Sequence, residues 1–525
     1  MQALDITTKH LFRIVIEEVN AQLLVSWEGE GLEVRKEGRA ECLYINRNDE
    51  LFKILEIHDA SVDVITTHRN KIPLYYRHSR NLHYISNSVS CLVHTNDTVA
   101  LDAISLALTL MNIGDPKSYF INIFKDIPLL QSSSTYTIDH GKLQYKCNYY
   151  SQYFNNARYT NKDDLVELLY NKYEYICSNR EHVHLFLSAG YDSRLELALM
   201  INAIKKHKNK ITLHHYSEFG LEHDIVMSIA KDYKLDLVLY NGNSLFHKGV
   251  ADFTADESTL KSNSGPFQIG LYFALAALKY IQKNTAEDHT TDVFLVNNVG
   301  ALKGRYYPPM EEALYVDKNR FESIKSRLNI NIMYDEFLQK RQHMLDYMVR
   351  CVEEIQDMYA KLDVLYAMVF HSNLFGKRIH TLMARNCVFP IDDDVVWLMF
   401  SNLCKEEKEG PNFIKYTVKK LENNLNSYKY VSGNRHQFQR NLLSKWYQRL
   451  ENYRFKLSNS TNNNIADRSE LILSIANHDD VRSEVLREIR KHILGPTLTS
   501  SLYSLQTLKF LSILEHEYHC SFTLV

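Results

Sequence analysis

A short run of small and polar residues near the middle of the chain has the composition of an anion-binding loop. The run SAGYDSR at 188–194 lies between the apolar run VHLFL and the helical pattern LELALMINAI. A glycine-containing loop at a helix N-terminus presents backbone N–H groups and the positive end of the helix dipole to an anion. We expect Ser188 and Ser193 to add hydroxyl donors for a phosphate, and Asp192 to hold Mg²⁺. The alternative is an ordinary strand-to-helix turn.

The elements around this loop predict a parallel β-sheet. Four apolar runs alternate with helical segments, which is typical of βαβ units. They are VHLFL (183–187), ITLHHY (211–216), LDLVLY (235–240) and VFLVNN (293–298). In such sheets ligands bind at the carboxyl ends of the strands, and the loop at 188–194 follows one of those ends.

The regions on either side of this sheet have different patterns. Before residue 150 the chain is strand-rich, with runs such as LFRIVI, AQLLVSW, VDVITT and NLHYIS, and helices are expected at 49–56 and 100–111. Residues 150–180 are first polar and then helical. After residue 310 helices predominate, and the Asn/Ser-rich stretch 456–467 indicates an exposed loop. The later helices are expected at 337–362, 394–403, 413–425 and 482–492.

Composition indicates an ordinary soluble globular protein. The 525 residues are 45% hydrophobic and 24% charged, and 61 Lys and Arg against 63 Asp and Glu give a net charge of -2. This balance provides no global basic field for nucleic acid or an anionic membrane. The eight cysteines form no C-x-x-C pair. With no signal peptide or membrane span visible, we expect a cytoplasmic protein with free thiols and no membrane insertion.

Five further segments occur in an order that matches a known family. They are KIPLYY (71–76), LHYIS (82–86), EHD (222–224), FPID (389–392) and RHQF (435–438). The strand-rich N-terminal region, the parallel-sheet region opened by S-x-G-x-D-S and the helical tail together resemble the glutamine-dependent asparagine synthetase superfamily. That superfamily includes β-lactam synthetases and lasso-peptide cyclases.

The resemblance implies a two-domain α/β architecture. Residues 1–155 would form a degenerate N-terminal nucleophile-like αββα sandwich, the glutaminase-like domain. Residues 156–525 would form a parallel-sheet PP-loop domain, of the adenine nucleotide α-hydrolase type, with a helical C-terminal part. The family's N-terminal catalytic cysteine has no counterpart, because position 2 is Gln2 and the first cysteine is Cys42. We therefore expect no glutamine hydrolysis.

The resemblance also implies a site for ATP and Mg²⁺. Asp192 would be catalytic and hold the metal, and Arg435, aligned with a family lysine, would be a second catalytic residue or else a surface arginine. The expected nucleotide-binding residues are Leu187, Ser188, Ala189, Gly190, Tyr191, Asp192, Ser193, Arg194, Tyr216, Asn297 and Gly300. Gly300 and Ala301 replace an acidic pair of the family, which leaves Asp192 as the one acid expected on the metal.

Several of these residues have simpler alternatives. Arg194 either contacts phosphate through its guanidinium or pairs with Glu196 or Glu222 on the surface. Asp224 and the Asp392–Asp394 run have the composition of helix starts. His516, His519 and Cys520 suggest a metal group, but a helix-end histidine is the favoured interpretation.

The expected activity is ATP-dependent amide-bond formation through an acyl-adenylate, with AMP and pyrophosphate as products. The substrates would be a carboxylate and an amine on a peptide, a sugar acid or a small metabolite. Two alternatives stay open: a degenerate nucleotide-binding or scaffold paralogue, and a tRNA-modifying adenylase. The net charge and the lack of a basic appendage argue against the tRNA alternative. The sequence is silent on the oligomeric state.

Overall fold

The computed structural model describes most of the N-terminal half of the chain and parts of the C-terminal half. The described residues are 11–19, 22–29, 31–47, 50–67, 71–102, 106, 123–148, 161–215, 221–240, 261, 292–295, 302, 334–335, 338–339, 353, 355, 357–366, 387–391, 393–431 and 502–524. All structural statements below refer to these residues.

Two antiparallel sheets form the N-terminal region. The first contains β1 (Phe12–Val19), β2 (Gln22–Gly29), β7 (Tyr75–Ser79) and β8 (Leu82–Ser86) in the order β2-β1-β8-β7. The second contains β3 (Leu32–Glu37), β4 (Ala40–Arg47), β5 (Glu50–Ile57), β6 (Val62–Ile65), β10 (Ser134–Asp139) and β11 (Lys142–Asn148), in the order β11-β10-β6-β5-β4-β3. The strand-rich expectation for this region is confirmed.

The two sheets share one hydrophobic core. Ile14 of β1 and Ile85 of β8 lie in the same buried cluster as Ile45 of β4, Val64 of β6 and Ile138 of β10. Residues from both sheets therefore pack face to face, as in a β-sandwich. In the described part of 11–148, Leu106 is the one α-helical residue. The outer helical layers of an αββα sandwich thus stay a prediction.

The helix expected at 49–56 is wrong. Residues 50–56 belong to β5, which pairs with β4 in antiparallel register from Arg47 opposite Glu50 to Glu41 opposite Ile57. The local sequence has a helix-like spacing of apolar residues, but pairing with a neighbouring strand decides the conformation. Ile54 and Leu55 are fully buried as a result.

A parallel five-stranded sheet follows, as the alternating apolar runs predict. Its strands are β12 (His182–Phe186), β13 (Lys210–His215), β14 (Asp236–Leu239), β15 (Asp292–Leu295) and β16 (Cys387–Val388), in the order β14-β13-β12-β15-β16. The next strand in sequence, β13, lies on one side of β12, whereas β15 lies on the other. The strand order therefore reverses at β12, and ligands of open α/β sheets bind at such a point.

Along the chain, α-helices precede, separate and follow the strands of this sheet. The first three are α1 (Lys162–Ser178), α2 (Tyr191–His207) and α3 (Leu221–Asp232). They are followed by α4 (Met358–Tyr366), α5 (Asp394–Ser401), α6 (Lys405–Lys408), α7 (Asn412–Leu421) and α8 (Leu502–Tyr518). Val183 and Leu185 of β12 are buried against Leu169 of α1 and Leu199 of α2. Among the described helices, none is long and apolar enough to cross a membrane.

The C-terminal end of the chain returns to the N-terminal region. Strand β17 (Ser521–Leu524) pairs in parallel with β9 (Thr98–Leu101). The Phe510 ring of α8 contacts the Phe124 ring edge-on, with 6.1 Å between centroids. Residues far apart in sequence are thus joined by backbone hydrogen bonds and aromatic packing. The division of the chain at residue 155 stays a prediction.

Candidate functional site

The loop at 187–190 connects β12 to α2 at the carboxyl end of the central strand. The Leu187 N–H donates to the His214 carbonyl at 2.9 Å, which extends the pairing of β12 with β13. Helix α2 begins at Tyr191, and Gly190 precedes it with extended backbone and no side-chain cap. The helix therefore starts four residues before the LELALMINAI pattern. Asp192, Ser193 and Arg194 consequently lie in its first turn, where the N–H groups have no partner within the helix.

Two serine hydroxyls hold the loop together from inside. Ser193 Oγ accepts from the Ser188 N–H at 3.0 Å and donates to the Ser188 carbonyl at 2.9 Å. Ser188 Oγ lies 2.9 Å from Ser193 Oγ and accepts from the Gly190 N–H at 3.2 Å. Because each hydroxyl has one proton, both protons are used within the loop. The sequence-based expectation of hydroxyl donors to phosphate is therefore not met in this arrangement.

The space around Gly190 explains the small residue at this position. A Cβ atom here would meet Ser188 Oγ at 3.2 Å and the Val431 carbonyl oxygen at 3.9 Å. Its φ of -78° is one that any residue adopts, so the constraint is close approach and not backbone conformation. An alanine would push Ser188 Oγ away from the Gly190 N–H.

Arg194 is buried and holds a distant segment of the chain against the loop. Its side chain is fully buried, and it donates to the carbonyl oxygens of Ala189, Leu425, Tyr428 and Lys429. The Val431 N–H donates to the Ala189 carbonyl at 3.0 Å. The structure therefore differs from the surface ion pair with Glu196 or Glu222, and the guanidinium is directed at carbonyl oxygens instead. Burial lowers the pKa of Arg194 from its ordinary value.

Aromatic rings pack beside this arginine. The Arg194 guanidinium lies 3.9 Å from the Tyr430 ring centroid, and Tyr430 stacks on Tyr191 with 4.2 Å between centroids. The Lys415 ammonium lies 5.4 Å from the Tyr191 ring. Cation–π contacts of this kind stabilise partly desolvated cations. The first turn of α2 is thus covered by the segment 425–431, which no local sequence signal indicated.

The end of β13 and the start of α3 contribute two more contacts to the loop. The Ala189 N–H donates to Glu222 Oε1 at 3.1 Å, and His215 Nδ1 lies 2.9 Å from the Leu187 carbonyl oxygen. Because a carbonyl oxygen accepts only, His215 Nδ1 must be the donor. Burial lowers the pKa of His215, which favours the neutral ring. From the sequence, Glu222 is a candidate surface partner of Arg194, whereas in the structure Glu222 accepts from the Ala189 N–H instead.

A row of polar rings lies across the strands below the loop. His184 Nδ1 is 3.0 Å from His214 Nε2, and His214 Nδ1 is 2.8 Å from the Tyr240 hydroxyl. His184 and His214 are both nearly fully buried. Burial, with smaller contributions from His184 and His182, lowers the pKa of His214 to about 3. The imidazole of His214 is therefore neutral at physiological pH.

We expect stability to fall on mild acidification because of His214. The pKa is about 3 in the folded protein and 6.5 ordinarily, so the unfolded chain binds the proton first. The contribution of His214 to the free energy of unfolding is fully present above pH 6.5 and decreases as the pH falls. At pH 5 the loss from this group is about 2 kcal/mol. Denaturant unfolding at pH 7 and pH 5 measures it. The variant His214→Gln should lose stability less steeply, and parallel curves for the two proteins would contradict this assignment.

Four of the expected site residues lie outside the described residues. They are Tyr216, Asn297, Gly300 and Arg435. Asp393 caps α5 by accepting from the Val395 and Val396 N–H groups at 2.9 and 3.0 Å, which confirms the helix-start interpretation. Cys520 Sγ lies 3.8 Å from the His94 carbonyl oxygen. Within the part of the chain that the structure describes, no three His, Cys, Asp or Glu residues form a metal-binding group.

Comparisons with known proteins give structural likenesses but no sequence match. No protein-family model matches the chain, and no curated protein sequence matches it. The chain is similar to a solved structure of an NH3-dependent NAD synthetase from Campylobacter jejuni subsp. jejuni NCTC 11168 in complex with the nitrate ion, with 12% sequence identity and a TM-score of 0.22. The likeness covers 40% of this chain and 93% of that chain. A TM-score this low carries no argument about activity, and the resemblance to the asparagine synthetase superfamily stays a prediction.

Proposed function

We propose that this chain is an ATP-dependent ligase that adenylates a carboxylate and passes the acyl group to an amine. The observation that supports this most is the position of the loop at 187–190. It follows the central strand of a parallel sheet, at the point where the strand order reverses, and leads directly into the N-terminus of α2. Backbone N–H groups and the helix dipole at that place favour a polyphosphate.

In the proposed reaction a carboxylate oxygen attacks the α-phosphorus of ATP, and the bond from that phosphorus to the bridging oxygen breaks. Pyrophosphate leaves with the bonding electron pair. An amine nitrogen then attacks the acyl carbon, AMP leaves, and the nitrogen releases a proton to give the amide. The first-turn N–H groups of α2 would stabilise the charge on pyrophosphate. A peptide, a sugar acid or a small metabolite would provide the carboxylate.

Among the described residues, Asp192 is the single carboxylate that would hold Mg²⁺ in the proposed site. It is half-buried in the first turn of α2, beside the amides that would face the phosphates. Mg²⁺ commonly binds through one or two carboxylates, with phosphate oxygens and waters as its other ligands. One carboxylate is therefore sufficient. When bound, the ion would neutralise phosphate charge.

The internal bonding of the loop favours a second candidate function. The N–H groups of Ser188, Ala189 and Gly190 all have acceptors within the protein. Within the described loop and α2, phosphate would therefore depend on the N–H groups of the first helical turn. A scaffold paralogue that keeps the loop for structural reasons would have the same bonds.

Asp192→Ala provides the test, with Asp224→Ala as its matched control. Asp224 is an exposed acid at the start of α3. We expect ATP–pyrophosphate exchange with wild-type protein and one of a panel of amino acids and uronic acids. Exchange should fall by about 100-fold or more in Asp192→Ala and stay near wild type in Asp224→Ala. Equal exchange in both variants would exclude the proposal. No thermal shift of the wild type with millimolar Mg-ATP would favour the scaffold.

A further inference from the structure

Two side chains, one from the end of β13 and one from the start of α3, hold the two peptide groups on either side of Ser188. The Leu187 carbonyl belongs to the peptide group before Ser188, and the Ala189 N–H belongs to the peptide group after it. His215 donates to the first and Glu222 accepts from the second, at 2.9 and 3.1 Å. Because these two peptide planes define φ and ψ of Ser188, the pair of contacts fixes the backbone of that residue.

The position of the Ser188 hydroxyl depends on that backbone. Ser188 Oγ accepts from the Gly190 N–H and lies 2.9 Å from Ser193 Oγ in the first turn of α2. The two residues approach closely, since a Cβ added at Gly190 would lie 3.2 Å from the same oxygen. A change in the Ser188 backbone would therefore be passed on to Gly190, the residue that precedes the helix, and to the N–H groups behind it.

The surroundings of these contacts are buried. Ala189 is fully buried and His215 is 4% exposed. An amide that loses its acceptor in such a place bears a desolvation penalty. The loop would move to recover a hydrogen bond, and this would displace the phosphate-facing amides.

We propose that Glu222 is a positioning residue for the phosphate loop, acting on Ser188 and Gly190 through the Ala189 N–H together with His215. This inference rests on the proposed function for its effect on ATP. Glu222 needs only to accept a hydrogen bond, so its charge is dispensable. The charge is adverse to a bound polyphosphate, since both are anionic.

The experiment compares Glu222→Ala, Glu222→Gln and Asp224→Ala. Glutamine keeps an acceptor oxygen and removes the charge, whereas alanine removes both. Asp224→Ala removes a similar charge from the same helix turn without touching the loop. Titration calorimetry with Mg-ATP is expected to show about tenfold weaker binding for Glu222→Ala, and affinity equal to or tighter than wild type for the other two variants. Melting temperatures of all three proteins are recorded alongside.

Amide hydrogen exchange at Ala189 gives a readout that does not depend on the nucleotide. We expect faster exchange at this amide in Glu222→Ala, wild-type protection in Glu222→Gln, and no difference in Asp224→Ala. A Glu222→Gln protein as impaired as Glu222→Ala would overturn the proposal, because the charge would then be the active feature. Unchanged Ala189 exchange in Glu222→Ala would also overturn it. If wild type fails to bind Mg-ATP while Ala189 exchanges as expected, the proposed function fails and the loop contact stands.

Discussion

Replacing Arg194 by alanine is expected to lower the free energy of unfolding by about 3 kcal/mol, and to release the segment 425–431 from the loop. The guanidinium donates to four carbonyl oxygens on two segments of chain that are more than 230 residues apart. Removal leaves buried carbonyl groups without these donors. The cation–π contact with Tyr430 is lost as well.

Lysine should restore only part of this stability. Its ammonium is a point charge with three donors, and it lacks the planar fork that reaches Ala189 on one side and Tyr428 on the other. We expect Arg194→Lys to lower the free energy of unfolding by about 2 kcal/mol, because the ammonium replaces only some of the hydrogen bonds of the guanidinium. Denaturant unfolding gives the free energies, and limited proteolysis between Leu425 and Val431 reports release of the segment.

Asn202→Ala is the matched control for this prediction. Asn202 lies on the same helix and donates to the Leu421 carbonyl at 3.1 Å, at the start of the same distant region. Among the described residues its side chain makes this one neutral hydrogen bond and none to the loop. We expect a loss of about 1 kcal/mol. If Arg194→Ala costs no more than Asn202→Ala, the guanidinium does not hold the segment.

The parts of the fold predicted from sequence depend on local patterns. The apolar runs that begin at 183, 211, 235 and 293 each contain a parallel strand within their described residues, because buried parallel strands are apolar on both faces. The apolar pattern predicts a start of α2 at Leu195, four residues later than the structure has it. Its first turn, Tyr191 to Arg194, is polar, and helices often begin with polar residues before their apolar periodicity starts.

The contacts that define the site join residues far apart in sequence. Arg194 meets Tyr428 and Lys429 across 234 and 235 positions, and neither carbonyl oxygen has a side-chain signature. Every residue has the same backbone carbonyl acceptor, so the sequence does not indicate which carbonyl oxygens Arg194 contacts. The pairing of β9 with β17 is of the same kind. The loop could therefore be found from sequence, whereas the residues that cover it and hold it could not.

The second large effect is expected at a buried ion pair away from the loop. Lys408 of α6 is 1% exposed and Asp363 of α4 is 7% exposed. The ammonium donates to Asp363 Oδ2 at 2.7 Å and to the Ser401 carbonyl at 2.8 Å. Burial raises the pKa of Asp363 to about 6, although Lys408 acts in the opposite direction. Removing these charges from water therefore outweighs much of their mutual attraction.

Lys408→Met should destabilise the protein by about 4 kcal/mol at pH 7, because it leaves the Asp363 carboxylate buried without its partner. The double variant Lys408→Met, Asp363→Leu removes both charges and fills the space with apolar side chains. We expect it to be within about 1 kcal/mol of wild type or more stable. Denaturant unfolding of both variants at pH 7 measures the difference.

The pH dependence of the single variant separates loss of the pair from loss of packing. Without Lys408, the Asp363 pKa should rise further, because burial then acts unopposed. Below that pKa the folded protein binds the proton that the unfolded chain, with its ordinary Asp pKa of 3.8, does not. The single variant should therefore regain stability relative to wild type as the pH falls from 7 to 5. A deficit that stays constant over this range would mean that Lys408 stabilises the protein through its packed methylene groups and not by pairing with Asp363.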